Sequence, residues 1–242
     1  MHRFIDDYEV ILLDQGKTFM FENDRFGPGE DYYSTYRALG GTTLTPQSLR
    51  KLMDKLVSHM LELGRNPRDC DSFPSVPEVL RSRALFEGLS SEDFPLIDQL
   101  VSLHELGSIS KCDADAIRSI SNTHRLGIVS NIWGRKQPFE QNLADAGILD
   151  CFEHVVWSSE HGRIKPSPWL FSHALALFRV PAAKVLFVGD HPFRDILPAK
   201  NCGCSAAWLR NGSEVFPSSC PAPDLTITRV GDLLRAASSS HE

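Results

Sequence analysis

Short apolar runs, each closing on polar or glycine residues, recur along the chain at Val10–Leu13, Leu126–Val129, His154–Trp157, Val185–Val188 and Ser205–Leu209, with a weaker one at Leu225–Thr228. Runs of this length read as strands buried on both faces. Between the later runs lie amphipathic helical patterns at Pro138–Ala146, Pro168–Phe178 and Ile196–Cys202. Strands and helices therefore alternate, as a parallel sheet with crossover helices requires. The second helix is well signalled: Ser167 is placed as N-cap, Pro168 occupies the first helical position, and Leu170, Phe171, Ala174, Leu175 and Phe178 share one apolar face.

The stretch from Phe21 to Leu106 has a different texture. Asp31–Leu39, Pro46–Leu63, Val76–Leu85 and Phe94–Leu106 carry helical patterns, with no convincing strand between them. The pattern predicts an α/β chain with a Rossmann-like parallel sheet core and a helical unit inserted after the first strand. Residues 1–20 and 107–242 are assigned to the core and residues 21–106 to the insertion. The tail Ser238–Glu242 is polar and is expected to fray.

With 242 residues, 42% of them hydrophobic, the chain can fill a core of this kind without staples. Its six cysteines, Cys70, Cys112, Cys151, Cys202, Cys204 and Cys220, form no CxxC pair and no Cys/His spacing suited to zinc. They read as free, mostly buried thiols. A net charge of −6 with scattered Lys and Arg leaves no footprint for nucleic acid or for an anionic membrane surface. The segment Met1–Tyr8 is acidic, and no apolar stretch has membrane-spanning length. The expectation is a cytoplasmic protein, monomer or homodimer, whose partner is a small molecule.

Ligands of open parallel sheets bind at the carboxyl ends of the strands, so polar residues just after an apolar run carry most weight. The first run ends Leu13-Asp14-Gln15-Gly16-Lys17-Thr18, and the second ends Val129-Ser130-Asn131. Lys165 stands in Gly162-Arg163-Ile164-Lys165-Pro166, and the fourth run ends Val188-Gly189-Asp190, with Asp195 five residues on. Singly, each has a plain use: Asp caps turns and helices, Ser-Asn suits a turn, and Lys suits the surface. Together they are the parts needed to bind a phosphate and a hard divalent cation. Mg²⁺ usually takes one or two protein carboxylates, which Asp14 and Asp190 can supply. With the phosphate's charge screened, a carboxylate such as Asp14 can attack phosphorus, while Ser130 and backbone N–H groups hold its oxygens and Lys165 offsets developing charge.

In these four motifs, Asp14…Thr18, Ser130-Asn131, Lys165 and Gly189-Asp190…Asp195, and in the insertion after the first strand, the sequence resembles the haloacid dehalogenase superfamily of hydrolases. The resemblance spans nearly the whole chain. It implies Asp14 as nucleophile, with Lys165 also in the catalytic set, and Ser130, Asn131 and Lys165 as ligands of a substrate phosphate. It further implies Mg²⁺ held by Asp14, the Gly16 carbonyl, Asp190 and Asp195, with Thr18 bracing the nucleophile loop and residues 21–106 forming a cap. The implied function is hydrolysis of a small phosphorylated metabolite through an aspartyl-phosphate.

One position departs from the pattern. Family phosphatases usually carry a second Asp two residues after the nucleophile, where this chain has Gly16. A positioned acid/base contributes about 10²- to 10⁴-fold in rate, so its loss alone need not abolish turnover. Substrates whose leaving group needs little protonation, such as an anomeric sugar phosphate, an acyl phosphate or a phenolic ester, would suffer least. Lys17, His161 and His191 are the neighbours that could take over. Two alternatives stay open: a catalytically weakened phosphate-ligand or protein-binding module, and a carbon–phosphorus hydrolase of phosphonatase type. The latter would need a cap lysine, for which Lys51 and Lys55 are available. Trp133, three residues after Ser130, is placed to edge the site.

Overall fold

The computed structural model describes residues 2–21, 25–82 and 89–235. Six parallel strands form the central sheet: β1 (Val10–Leu13), β4 (Arg125–Ser130), β5 (Phe152–Trp157), β6 (Val185–Gly189), β7 (Ser205–Leu209) and β8 (Leu225–Ile227). Their order is β5-β4-β1-β6-β7-β8, so the chain works outward on one side of β1 and then returns to the other. That reversal opens a crevice at the carboxyl ends of the strands flanking β1.

Both faces of the sheet are covered, which is why its strands are apolar at successive positions. On one face Ile11, Leu13, Ile128 and Val188 pack with Ala114, Ile117 and Ile120 of α5 (Lys111–Ser121) and with Phe139 and Leu143 of α6 (Gln137–Asp145). On the other, Val10, Leu12, Val129 and Phe187 pack with Leu170, Phe171, Ala174 and Phe178 of α7 (Pro168–Phe178) and with Ala199 of α8 (Leu197–Asn201). As expected, Pro168 opens α7 and the Ser167 hydroxyl accepts from the Trp169 N–H; Arg179, at φ 55°, ends the helix in the left-handed region.

Among the described residues four α-helices lie between β1 and α5: α1 (Tyr32–Ala38), α2 (Pro46–Arg65), α3 (Val76–Arg81) and α4 (Asp93–Glu105). Their inward faces build a separate apolar cluster that includes Tyr36, Met53, Met60, Val79 and Leu100. The cluster takes in Ile164, which lies just before Lys165. A two-stranded antiparallel pair, β2 (Met20–Phe21) with β3 (Ser108–Ile109), joins the chain on either side of these helices.

The expected strands and helices are present, most with ends moved by one or two residues; α3 stops at Arg81, with Ser82 as its C-cap, short of the expected Leu85. Before α8 the segment Pro192–Ile196 is a π-helical turn, so the α-helix starts at Leu197 rather than Ile196. Helix α5 and strands β2 and β3 are additions to the sequence reading. The end of the Val76–Leu85 pattern and the tail Ser238–Glu242 lie outside the described residues. All six cysteines are free; Cys70, Cys204 and Cys220 are buried, while Cys112 is exposed. Among the described residues no helix is long and apolar enough to cross a membrane.

Phe171 joins α7 to the sheet, its ring 4.9 Å from that of Phe187 and fully buried. Truncating a buried aromatic removes its transfer energy and leaves a cavity. Phe171→Ala should therefore cost about 3–5 kcal/mol of stability, read as a lowered midpoint in urea denaturation.

Candidate active site

The sheet register assembles the site. Leu13 of β1 lies opposite Ile128 of β4 and Val188 of β6, so the residues that follow these strands emerge at one edge. Asp14 continues the ladder through its N–H, which donates to the Val188 carbonyl at 2.8 Å. Its carboxylate is buried. One oxygen, Oδ1, accepts from the Lys165 ammonium at 2.5 Å, and Oδ2 accepts from the Thr18 hydroxyl at 3.3 Å. Thr18 thus braces Asp14, as the resemblance implied.

Lys165 is itself buried and has a second carboxylate partner, Asp195 Oδ1 at 2.6 Å. Burial works against its positive charge, but Asp14 and Asp195 outweigh that effect and raise its pKa above the ordinary lysine value. Two contacts from Asn131 hold the lysine's backbone: Asn131 Oδ1 accepts from the Lys165 N–H at 2.7 Å, and Nδ2 donates to the Lys165 carbonyl at 3.3 Å. The Asn131 amide, expected to contact phosphate, holds the Lys165 backbone and also lines the pocket of the site. The same loop is tied to the helical segment, because Ile164 N–H donates to the Cys70 carbonyl and Phe73 N–H to the Gly162 carbonyl.

Asp195 reaches the site from the π-helical turn. Its Oδ2 accepts from the His191 N–H at 2.9 Å, and its carboxylate packs directly over Gly189. A Cβ on Gly189 would lie 2.6 Å from that carboxylate, so the position requires glycine. Asp190 is fixed through its carbonyl, which accepts from the Trp208 indole N–H at 2.8 Å.

Carboxylate oxygens of Asp14, Asp190 and Asp195 all lie within 4.8 Å of one another. Lys165 pairs with two of them and does not pair with Asp190. Burial, followed by the like charges of Asp195 and Asp14, pushes the Asp190 carboxyl up to about 8. Burial is also the main cause that raises Asp14 above the ordinary carboxylate value, with Lys165 opposing. Three hard oxygen donors with one ammionium among them form a site that a further cation would neutralise, and the donor set suits Mg²⁺ rather than a soft metal.

These residues line a small pocket of about 110 Å³, the liquid volume of about four waters. Asp14, Gly16, Lys17, Asn131, Lys165, Asp190 and Asp195 contribute to its wall, together with Arg25 and Arg194, which the sequence reading did not single out. Ser130 is buried at the last position of β4 and does not contribute to that wall. His161 packs tilted against Trp169 and edge-on to His173, and does not line the pocket. His191 caps the π-helical turn: its Nδ1 accepts from the N–H groups of Phe193 and Arg194, and burial lowers its pKa to about 4. Lys51 and Lys55 are exposed on α2 and do not line the pocket.

Residues 114–209 match a family model described as haloacid dehalogenase-like hydrolase. The chain is 38% identical over 89 residues to a glyceraldehyde 3-phosphate phosphatase of Pyrococcus abyssi, covering 37% of each chain. It is 39% identical over 94 residues to a phosphoserine phosphatase of Thermus thermophilus, covering 38% of this chain and 36% of that one. The matches thus span little more than a third of these curated relatives. Among solved structures, a 2-haloacid dehalogenase from Pseudomonas syringae superposes with a TM-score of 0.66 at 20% identity, covering 94% of this chain and 96% of the other. A HAD phosphatase from Thermococcus onnurineus superposes with a TM-score of 0.60 at 21% identity, covering 93% and 95%. The chain therefore has the haloacid dehalogenase-like fold. Its segment 114–209 carries the sequence match to that hydrolase family.

Removing the Asn131 side chain leaves the Lys165 N–H and carbonyl without these partners. Asn131→Ala should cost about 1–3 kcal/mol of stability, as the loss of a partner to partly buried polar groups does, measured by thermal or urea denaturation.

Proposed function

We propose that this chain is a phosphomonoester hydrolase in which Asp14 is the nucleophile. The observation that carries the reading is the arrangement of Asp14, Lys165, Asp190 and Asp195 at one sheet edge around a pocket of phosphate size. Relatives named as phosphatases support it. Residues 21–106 act as a cap on the core formed by residues 1–20 and 107–242; the separate apolar cluster of helices α1 to α4 supports that division.

Lys165 and the backbone N–H groups at the strand ends hold the phosphoryl oxygens, and Thr18 keeps the Asp14 carboxylate aimed. Ser130 keeps its proposed role as a phosphate ligand only if its hydroxyl turns toward the pocket on binding; Asn131 serves through Lys165. Asp14, Asp190, Asp195 and the Gly16 carbonyl would hold Mg²⁺, which when bound screens the phosphate's charge.

A carboxylate oxygen of Asp14 attacks phosphorus, the bond from phosphorus to the ester oxygen breaks, and that oxygen leaves with its electron pair. Water then attacks phosphorus, the bond to Asp14 breaks, and inorganic phosphate departs as the carboxylate is restored. The proton given up by water balances the one taken by the leaving oxygen. Of Lys17, His161 and His191, only Lys17 lines the pocket, which makes it the candidate to offset charge on the leaving oxygen. Gly16 favours a weakened binding module as the second reading, whereas the exposed positions of Lys51 and Lys55 lend nothing to a carbon–phosphorus hydrolase.

The test is phosphate release from a panel of esters. The native chain should release phosphate with added Mg²⁺ and lose that activity in excess EDTA. Asp14→Asn should lower kcat by about 10³-fold or more, as loss of a covalent nucleophile does, with its melting temperature showing that it still folds. Release that persists in Asp14→Asn, or no release from any ester by the native chain, would overturn the proposal.

A further inference from the structure

The small pocket opens into a larger cleft of about 420 Å³ between α2 and the core, because Arg25, Asn131 and Arg194 line both. Phosphate and cation fill the first, so the second receives whatever the phosphate is attached to. Its size falls in the range of small-molecule pockets and far exceeds the needs of a two- or three-carbon leaving group.

The chemistry of its wall narrows the occupant. Phe26, Met60, Leu61, Trp133 and Ile164 present apolar and aromatic surface, with the Phe26 and Trp133 rings stacked at 5.5 Å. Leu61 remains 46% exposed on a helix whose other large apolar residues are mostly covered, which is surface a ligand can bury. Two exposed guanidinium groups, Arg65 and Arg194, stand on the same wall, and neither forms an ion pair with a described residue. Gly16 adds a separate constraint: without the usual acid, turnover favours a leaving oxygen that departs with little protonation.

We infer that the substrate is an aryl phosphate monoester carrying a second anionic group on its ring. The inference rests on the phosphatase reading above. The ring lies in the cleft against Trp133 and the α2 face, the phenolic oxygen leaves as a stabilised anion, and the second anion meets Arg65.

Gly64 gives access to this cleft. It lies in the last turn of α2, lines the cleft, and a Cβ there would come no nearer than 3.8 Å, to Ile164 Cδ1. Gly64→Ala is therefore tolerated, while Gly64→Leu fills space assigned to the ring. The measurement is kcat/KM with Mg²⁺ for acetyl phosphate, phenyl phosphate and 4-carboxyphenyl phosphate. The native chain should bind the aryl esters with a lower KM than acetyl phosphate, the carboxylated one lowest, because acetate is already the better leaving group and only the cleft distinguishes the ring. Gly64→Leu should lower the ratio of aryl to acetyl phosphate efficiency by about tenfold or more, the scale of an apolar pocket's discrimination, mainly through KM. Gly64→Ala should hold that ratio within about twofold. Arg65→Gln should lower efficiency on 4-carboxyphenyl phosphate by about twofold to fivefold, as an exposed ion pair does, and leave the phenyl ester to acetyl phosphate ratio in place. A KM for acetyl phosphate at or below those of the aryl esters, or an unchanged ratio in a folded Gly64→Leu variant, would overturn the inference while the phosphatase reading stood. No release from any of the three, acetyl phosphate included, would overturn the phosphatase reading and this inference with it.

Discussion

The structure of the site depends on one buried ammonium shared between carboxylates. Lys165 donates to Asp14 and to Asp195, and all three side chains are shielded from water. Burying charge is costly unless it is paired and hydrogen-bonded, so none of the three could hold its place without the others. The pairing is nevertheless incomplete. Asp190 adds a third carboxyl close to the first two, and burial, reinforced by their like charges, pushes its pKa up to about 8. A site with more carboxyls than ammonium groups is predisposed to cations, and a phosphate enters it favourably only alongside one.

Holding the ammonium in place draws on both parts of the chain. Asn131, at the end of β4, fixes the peptide of Lys165, while backbone bonds from the Phe73 and Ile164 N–H groups bind the Lys165 loop to the Cys70–Phe73 segment. Glu105 does the reverse: coming from the end of α4, it is buried and accepts from the backbone N–H groups of Trp133 and Gly134, while pairing with Arg25. The helical segment is thus fastened to two of the loops that carry the site. Any displacement of those helices would therefore be felt by Lys165 and by the loop after Ser130.

The sheet was legible because its strands are buried on both faces and separated by helices of clear period. β1, β7 and α7 have the residue limits read from the sequence. Helix α5 escaped because its buried face is small, Ala114, Ala116, Ile117 and Ile120 set among charged residues, although Ser110 before Asp113 was a readable N-cap signal. β2 and β3 are two residues long and carry no period. In the site, residues at strand ends were legible because topology gathers them. Arg25 and Arg194 were not, since they come from a loop and a π-helical turn whose side-chain directions no linear pattern fixes. Adjacency to Ser130 points to phosphate for Asn131, and only geometry reveals its bond to the Lys165 backbone.

In the proposed reaction Gly16 and the cleft both bear on the leaving group. A glycine after the nucleophile keeps a backbone carbonyl available but removes the group that would protonate the leaving oxygen, so the barrier depends more steeply on that oxygen's basicity. Phenolic oxygens are far less basic than alkoxides, because the ring delocalises the charge. An aromatic, apolar wall beside the phosphate pocket selects for the class of leaving group that needs no acid. Binding energy gained along the ring then positions the phosphorus against Asp14, where a loose fit would be costly in rate. In the proposed reaction, then, the absent acid and the apolar cleft constrain the same part of the substrate, the group that leaves phosphorus.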